Sequence, residues 1–316
     1  MTASQSKALV VVGSYNQDFT FQCARLPDQG ETVAGQDFRF ASGGKGSNQA
    51  VAAARLGIGV TLIARVGHDP FGDEALRMLA AEGVDTRYVR RSPDRPTGAA
   101  AIVLNTAGDN RIIVVPGANA ACTPEMLHEV RQAWSGSRLT LVQLEIPLPA
   151  VRAALELGRA HGGLTLLNPA PATALDLELR SGLFPLVDIL TPNETEAATL
   201  TGMRVETPGD AEAAARALQR LGAAAVVVTL GARGAVLLET SGTVRHIAAP
   251  PVKVVDTTGA GDAFNGALAV ALVQGNSLEA AVRMAVCAGA LSVTRPGAAP
   301  AMPTLAELRQ RFPEVC

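Results

Sequence analysis

Short runs of branched apolar residues recur along the chain, as in "ALVVVG" (8–13), "GVTLIARVG" (59–67), "LTLVQLE" (139–145), "GLTLLNPA" (163–170), "VDILTPN" (187–193) and "AAAVVVTLG" (223–231). Each is followed by a stretch with helical spacing. Runs that are apolar throughout mark strands buried on both faces. Such strands alternating with helices predict an α/β fold with a mainly parallel sheet covered on both sides. Two stretches break the rhythm. "DFTFQCARLPDQGETVAGQDFRFA" (18–41) alternates polar and apolar positions with turn signals at Pro27 to Gly30 and at Gly35, as half-buried antiparallel strands do. "TGAAAIVLNTAGDNRIIVVPG" (97–117) reads as a hairpin turning at Gly108 to Asn110. Together the inserted segments, about 16–41 and 97–117, predict a small β-sheet projecting from the edge of one domain spanning 1–316. That sheet is placed to act as a lid or as a plain edge extension.

Ligands of an open parallel sheet collect at the carboxyl ends of its strands. Here those ends are polar one after another. "GSYNQD" brings Asn16 and Asp18; "ASGGKGSNQAVAAARLG" opens a helix with Gly43, Gly44, Lys45, Gly46 and Asn48; "QLEIPL" brings Glu145 and "LNPAPA" Asn168. "TPNETEA" adds Asn193 and Glu196, and "TLGARG" adds Thr229, Gly231 and Gly234. Each has a bland alternative: an Asx residue caps a helix, a Gly pair makes a turn, Lys45 is solvated, and "TPNETEA" is a capped helix with an acidic first turn. One crevice shared by six polar strand ends explains the set better than six separate turns.

The last strand end, "VVDTTGAGDAFNGALAVAL" (254–272), carries the sharpest chemistry. Glycines between strand and helix let backbone N–H groups converge with the helix dipole behind them, which makes an anion site from Gly259, Ala260 and Gly261. A carboxylate just after an anion cradle, Asp262, is repelled by what the cradle holds unless it has a task. Accepting a proton from a hydroxyl that attacks a bound phosphoryl group is such a task. Other phosphate motifs fail: Lys45 is followed by Gly46 and Arg39 stands where a P-loop needs its first glycine, and "VVVGSYNQDF" has a single glycine where a dinucleotide fingerprint needs three.

Composition narrows the partner. The chain has 316 residues, 48% hydrophobic and 18% charged, enough to bury a large core. With 27 basic and 29 acidic residues its net charge is -2 and no like-charge run stands out, so it carries no footprint for nucleic acid or an anionic membrane. A small molecule is the expected ligand. Cys23, Cys122, Cys287 and Cys316 form no C-x-x-C pair, which argues against zinc or a disulfide framework and fits a reducing cytoplasm. The apolar run Ala8–Val12 is too short for a signal peptide core or a membrane span.

Through "GSYNQD", "GGKGSNQAVAAARLG", "PGANAA", "QLEIPL", "LNPAPA", "TPNETEA", "TLGARG" and "DTTGAGDAFNGALA" the chain resembles the ribokinase-like sugar and nucleoside kinase family over nearly its whole length. The resemblance implies a three-layer α/β/α domain with a β-sheet lid and ATP-dependent phosphorylation of D-ribose to D-ribose 5-phosphate. It implies that Asn16, Asp18, Gly44, Lys45, Asn48 and Glu145 hold the sugar, with Asp262 as general base. It assigns Asn193, Thr229, Leu230, Gly231, Ala232, Arg233, Gly234 and Gly261 to the nucleotide, with adenine near Val286 in "AAVRMAVCAGALSVT". Glu196, with Asn193, would govern Mg²⁺, directly or through water. A monovalent cation, K⁺, would sit at Asp256, Thr258, Ser292, Arg295, Gly297 and Ala301. For Asp256 an Asx cap of the turn is the competing expectation. The resemblance also implies a homodimer formed through the lids, for which Phe19, Phe21, Phe38, Phe40, Ile112 and Val114 offer apolar faces. Another pentose, deoxyribose or a nucleoside as acceptor remains open, as does a sugar-binding regulator without catalysis on the same scaffold.

Overall fold

The computed structural model describes residues 7–107, 109–172 and 182–315. β1 (Lys7–Val12), β4 (Gly59–Val66), β5 (Asp85–Arg91), β8 (Leu139–Gln143), β9 (Leu164–Asn168), β10 (Ile189–Leu190), β11 (Ala225–Thr229), β12 (Ala235–Leu238) and β13 (Val244–Ile247) form one sheet, in the order β13-β12-β11-β10-β9-β8-β1-β4-β5. Pairing is parallel from β5 across to β11, and antiparallel only where β12 and β13 are added. All six apolar runs lie on strands of this sheet, but the strand expected to begin at Val254 is absent: Val254 and Val255 are exposed, in a segment that pairs with no strand before the helix at Ala260. The β12–β13 hairpin and the edge strand β5 were not foreseen: the hairpin strands have four residues each, and "DTRYVRR" carries the charges an edge strand tolerates.

Alternation along β1 explains the three layers. Leu9 and Val11 pack on one face with the helices Lys45–Arg55, Ala260–Val273 and Leu278–Ser292. Val10 and Val12 pack on the other with the helices Leu148–Ala160 and Pro208–Arg220. Both faces are dry, so the strand has no polar side to show. The chain runs outward from β1 through β4 to β5, then returns to β8 on the other side of β1. The order reverses between β1 and β8, where the carboxyl ends splay and leave a crevice.

The two inserted segments join as expected into a second sheet, β3-β2-β6-β7, from β2 (Asn16–Cys23), β3 (Gly35–Gly43), β6 (Gly98–Asn105) and β7 (Asn110–Val115). Two antiparallel hairpins meet through a parallel β2–β6 pair, with Asn16 opposite Gly98. The half-buried pattern expected of this region holds for β2 and β6 but not for β3, which is exposed from Gly35 to Ala41, with Phe38 at 52% and Phe40 at 65%. Period-two alternation marks two faces; it cannot say whether either is covered. Gly108, part of the anticipated turn, lies outside the described residues, and Leu104 pairs with Asn110 across it.

Candidate active site

At the switch point the backbone just after β1, at Gly13 and Ser14, touches the helix Lys45–Arg55. A Cβ on Gly46 would stand 2.5 Å from the Ser14 nitrogen, and one on Gly13 2.8 Å from the Gly46 Cα, so only glycine fits at either place. Gly44, at φ 89°, makes the turn into the helix. Ser14 Oγ donates to Glu145 Oε2, and the Lys45 backbone N–H donates to the same oxygen at 2.9 Å. Glu145, expected on the sugar, therefore spends one carboxylate oxygen tying the helix start to the end of β8. The reason is the crossover: two backbone segments that meet end-on leave donors that only a side chain can satisfy.

The helix Ala260–Val273 begins at Gly259, φ 75°, with no side chain capping its first turn, while the Ala260 N–H donates to the Thr257 carbonyl at 3.2 Å. Asp262 in that turn is buried. Asn48 Nδ2 donates to its Oδ2 at 2.9 Å and Gln49 Nε2 to its Oδ1 at 2.9 Å. Burial pushes the Asp262 carboxyl up; Lys45, Asn48 and Gln49 pull it down and Glu145 pushes it further up, with a net rise. Lys45 shows the converse. Burial lowers its ammonium, but Asp262, Glu145, Glu196 and Asp18 outweigh that, and its pKa ends raised. One cation thus stands among four carboxylates.

On β2, Asp18 lies within electrostatic reach of Lys45, Glu145 and Asp262, and Asn16 is buried two residues before it. Burial, then Glu145 and Asp262, push the Asp18 carboxyl up to about 7 against the pull of Lys45. Its Oδ2 lies 2.1 Å from where a Cβ on Gly43 would be, so that glycine is the floor under the carboxylate. Asn16 Oδ1 accepts from Asn119 Nδ2 at 2.9 Å, and Asn119 also brackets Tyr15, accepting from its N–H at 3.0 Å and donating to its carbonyl at 2.9 Å. Asn48 Oδ1 is buried with no partner, an acceptor left open beside Asp262.

The crevice continues as a cleft of about 160 Å³ lined by Lys45, Asn168, Asn193, Glu196, Thr229, Thr257, Gly259 to Asp262 and Asn265. Asn193 and Glu196 form a capping box: Glu196 N–H donates to Asn193 Oδ1 at 2.8 Å and Asn193 N–H to Glu196 Oε2 at 2.9 Å. The bland expectation for "TPNETEA" is thus met, and the same residues still face the cleft. Burial raises the Glu196 carboxyl against the Asn193 N–H and Lys45. The turn after β11 holds Gly231 at φ 54° and Gly234 at φ 88°; a Cβ on Gly234 would sit 1.9 Å from the Ile247 carbonyl. Two residues assigned to the nucleotide depart from expectation. Leu230 is 2% exposed and packs in the core, because it follows an inward-facing strand. Val286 is buried in the opposite core layer and does not line the cleft. Ala232 and Arg233 are exposed, and the Arg233 guanidinium is taken by Glu194 and the Glu206 carbonyl.

Asp256 is an Asx cap, the competing expectation. Its Oδ1 accepts from Thr258 N at 2.9 Å and Oγ1 at 2.6 Å, and its Oδ2 from Gly297 N at 2.8 Å. Burial raises its carboxyl, yet these bonds prevail and its pKa is lowered. It joins the turn before the cradle to the loop 293–297. Ser292 Oγ donates to Gly289 O, Arg295 pairs with Glu307, and Ala301 N–H donates to Ala298 O.

Ser14, Gln49, Asn119, Gln143, Thr191 and Asn265 escaped the sequence reading. Gln143, a polar residue inside an apolar strand, is the one that pattern alone marks.

Residues 6–305 match the model of the pfkB family carbohydrate kinases. The chain belongs to this family. It is 40% identical to a ribokinase of Haemophilus influenzae over 301 residues, 95% of this chain and 97% of that one. It is 38% identical to a deoxyribokinase of Salmonella typhimurium over 302 residues, 96% and 97% of the two chains. A ribokinase of Arabidopsis thaliana complexed with ribose and ATP superposes with a TM-score of 0.89 at 35% identity, covering 96% of this chain and 98% of that one.

Proposed function

We propose that the protein transfers the γ-phosphoryl group of ATP to the 5-hydroxyl of D-ribose. Asp262 carries the reading: a buried carboxylate in the first turn of a helix whose uncapped N–H groups form an anion cradle. As the hydroxyl oxygen bonds to the phosphorus, the bond from phosphorus to the ADP oxygen breaks and the hydroxyl proton passes to Asp262. Gly259 and Gly261 offer backbone N–H groups to the charge on the moving phosphoryl, and Ala260, whose N–H is held by the Thr257 carbonyl at 3.2 Å, fixes the turn between them. Asn16, Asp18, Gly44, Lys45 and Asn48 bind the sugar hydroxyls, with the open Asn48 Oδ1 taking one as acceptor. The nucleotide lies along Asn193 and the Thr229–Gly234 turn. The small sheet closes over the sugar.

Asp18, Glu145, Glu196 and Asp262 surround one lysine, so a triphosphate needs a divalent cation to approach. The residues fit magnesium. Among the described residues no three acidic, His or Cys side chains cluster as a metal cage, and Mg²⁺ favours phosphate oxygens and water with one or two carboxylates. Glu196, beside Asn193, would hold it through water, and the ion would neutralise phosphate charge. K⁺ would share Asp256: three donors leave this carboxylate one acceptor site, and backbone carbonyls of the joined loops suit that ion. Its part would be to stiffen the cradle. Among the described residues no helix is long and apolar enough to cross a membrane. The reading places the enzyme in the cytoplasm, where ATP is made. Phe21, Phe38, Phe40, Ile112 and Val114, exposed on the small sheet, support a homodimer through that surface, and sedimentation tests it.

Purified protein with ATP and Mg²⁺ is offered ribose, deoxyribose, other pentoses and nucleosides, and ADP release is measured. The highest kcat/KM with ribose is expected. A higher value with deoxyribose would move the substrate to that sugar, and no turnover with any would leave a sugar-binding regulator.

A further inference from the structure

Asp262 is gripped by amides from two consecutive buried residues, Asn48 and Gln49. Asn48 keeps its Oδ1 without a partner, whereas both polar atoms of the Gln49 amide are engaged.

Its orientation is forced from below. Asn168 Nδ2 donates at 3.0 Å to the backbone carbonyl of Thr191, which can only accept, so Asn168 turns its Oδ1 toward Gln49. Gln49 Nε2 donates to that oxygen at 3.1 Å and to Asp262 Oδ1 at 2.9 Å. Gln49 Oε1 accepts from Gln143 Nε2 at 2.6 Å. Flipping the Gln49 amide would set its oxygen against two acceptors at once, among buried groups. Gln143 is held at the switch point, where a Cβ on Gly13 would lie 2.0 Å from its Oε1.

We propose that Gln49, locked by Gln143 and Asn168, is the positioning residue of the transfer: it covers Oδ1 of Asp262 with a fixed N–H, so that Oδ2, held only by the less tethered Asn48, takes the proton of the attacking hydroxyl. The inference rests on Asp262 being the base. Oδ2 also accepts an amide N–H, from Asn48 Nδ2 at 2.9 Å, but Asn48 Oδ1 has no partner, so the Oδ2 side is the one where a sugar hydroxyl finds a second acceptor. A donor fixed on Oδ1 favours the ionised carboxylate, the form a base must have before transfer. The other groups facing Asp262 are Lys45 from the same helix as Gln49, Glu145 after β8, Asp18 on β2 and Glu196 on the helix Glu194–Thr201.

The test is kcat against pH at saturating ribose and Mg-ATP for the wild type, Gln49→Met and Gln49→Glu. Saturation removes Asp18 from the profile, and titration of ATP is common to all three. Gln49→Met is expected to lower kcat at neutral pH about tenfold, leave both KM values within about twofold, and move the acid limb upward. Gln49→Glu, which keeps the shape but sets a carboxyl against Asp262, is expected to move it further. If Gln49→Met does not fold, the limb of the Glu variant decides. An acid limb unmoved in folded variants overturns the role of Gln49, as does a shift larger for Met than for Glu. A wild-type rate in Asp262→Asn would overturn the base itself, whereas a collapsed rate there beside unmoved limbs in the Gln49 variants overturns this inference alone.

Discussion

Gly266 lies so close to Ala52 that a Cβ added to it would stand 2.6 Å from the Ala52 Cβ. The contact joins the helices Ala260–Val273 and Lys45–Arg55 one turn below Asp262, and so sets how near Asn48 and Gln49 come to its carboxylate. Gly266→Ala should therefore cost about 1–3 kcal/mol of stability and lower kcat together, since the helices must part to admit the methyl. Urea unfolding and steady-state kinetics read both. A stable variant with a wild-type rate would show that the helix contact does not set the site.

Asp262→Asn keeps the size of the side chain and removes the proton acceptor. Sugar binding should persist while kcat falls by roughly 10²–10⁴, the worth of a placed base. Some activity should survive, because the cradle of N–H groups is untouched and the loose phosphoryl transition state calls mainly for charge stabilisation. Calorimetric ribose binding beside turnover separates the two effects.

With its carboxyl pushed up to about 7 by burial and by Glu145 and Asp262, Asp18 changes charge near neutral pH. Its ionised form is the better acceptor for a sugar hydroxyl, so KM for ribose should rise as pH falls through 7 and level off above it, with KM for ATP little changed. Asp18→Ala should raise KM for ribose and abolish that dependence. A flat ribose KM between pH 6 and 8, about one unit either side of the midpoint, would remove Asp18 from the sugar.

For Glu145 the structure predicts a loss of stability ahead of a loss of sugar. Removing the carboxylate orphans the Ser14 hydroxyl and the Lys45 N–H, two hydrogen bonds to a charged group. Glu145→Ala should destabilise the protein by about 2–4 kcal/mol. Its ribose KM should change less than that of Asp18→Ala. The reverse order in kinetics and melting would return Glu145 to the sugar.

At Asp256 the test is ionic. Potassium chloride should raise the rate over a tetraalkylammonium salt at equal ionic strength, and Asp256→Ala should erase the difference while loosening the turn that carries Gly259 to Asp262. Equal rates in desalted wild-type enzyme would leave Asp256 as the cap its hydrogen bonds describe.

The apolar runs from "ALVVVG" to "AAAVVVTLG" sufficed for a buried parallel sheet, because a strand covered on both faces has no polar positions to spare. "GAGD" sufficed for a helix start at Gly259 with a carboxylate in its first turn, because glycine turns and helix starts are local chemistry. What lay beyond the sequence was set by long-range contact. Gln49 meets Gln143 and Asp262 across 94 and 213 residues, and nothing in "SNQA" tells which amide turns inward. Glu145 reads as one more polar strand end until β1 and β8 are placed side by side and its oxygen is found between Ser14 and Lys45. Leu230 looks like part of a nucleotide turn until the sheet buries it. Periodicity specifies the faces of an element, and local motifs specify its ends. Only tertiary packing decides which ends meet, because the hydrogen-bond partner of a buried polar group is chosen by distance in space and not along the chain.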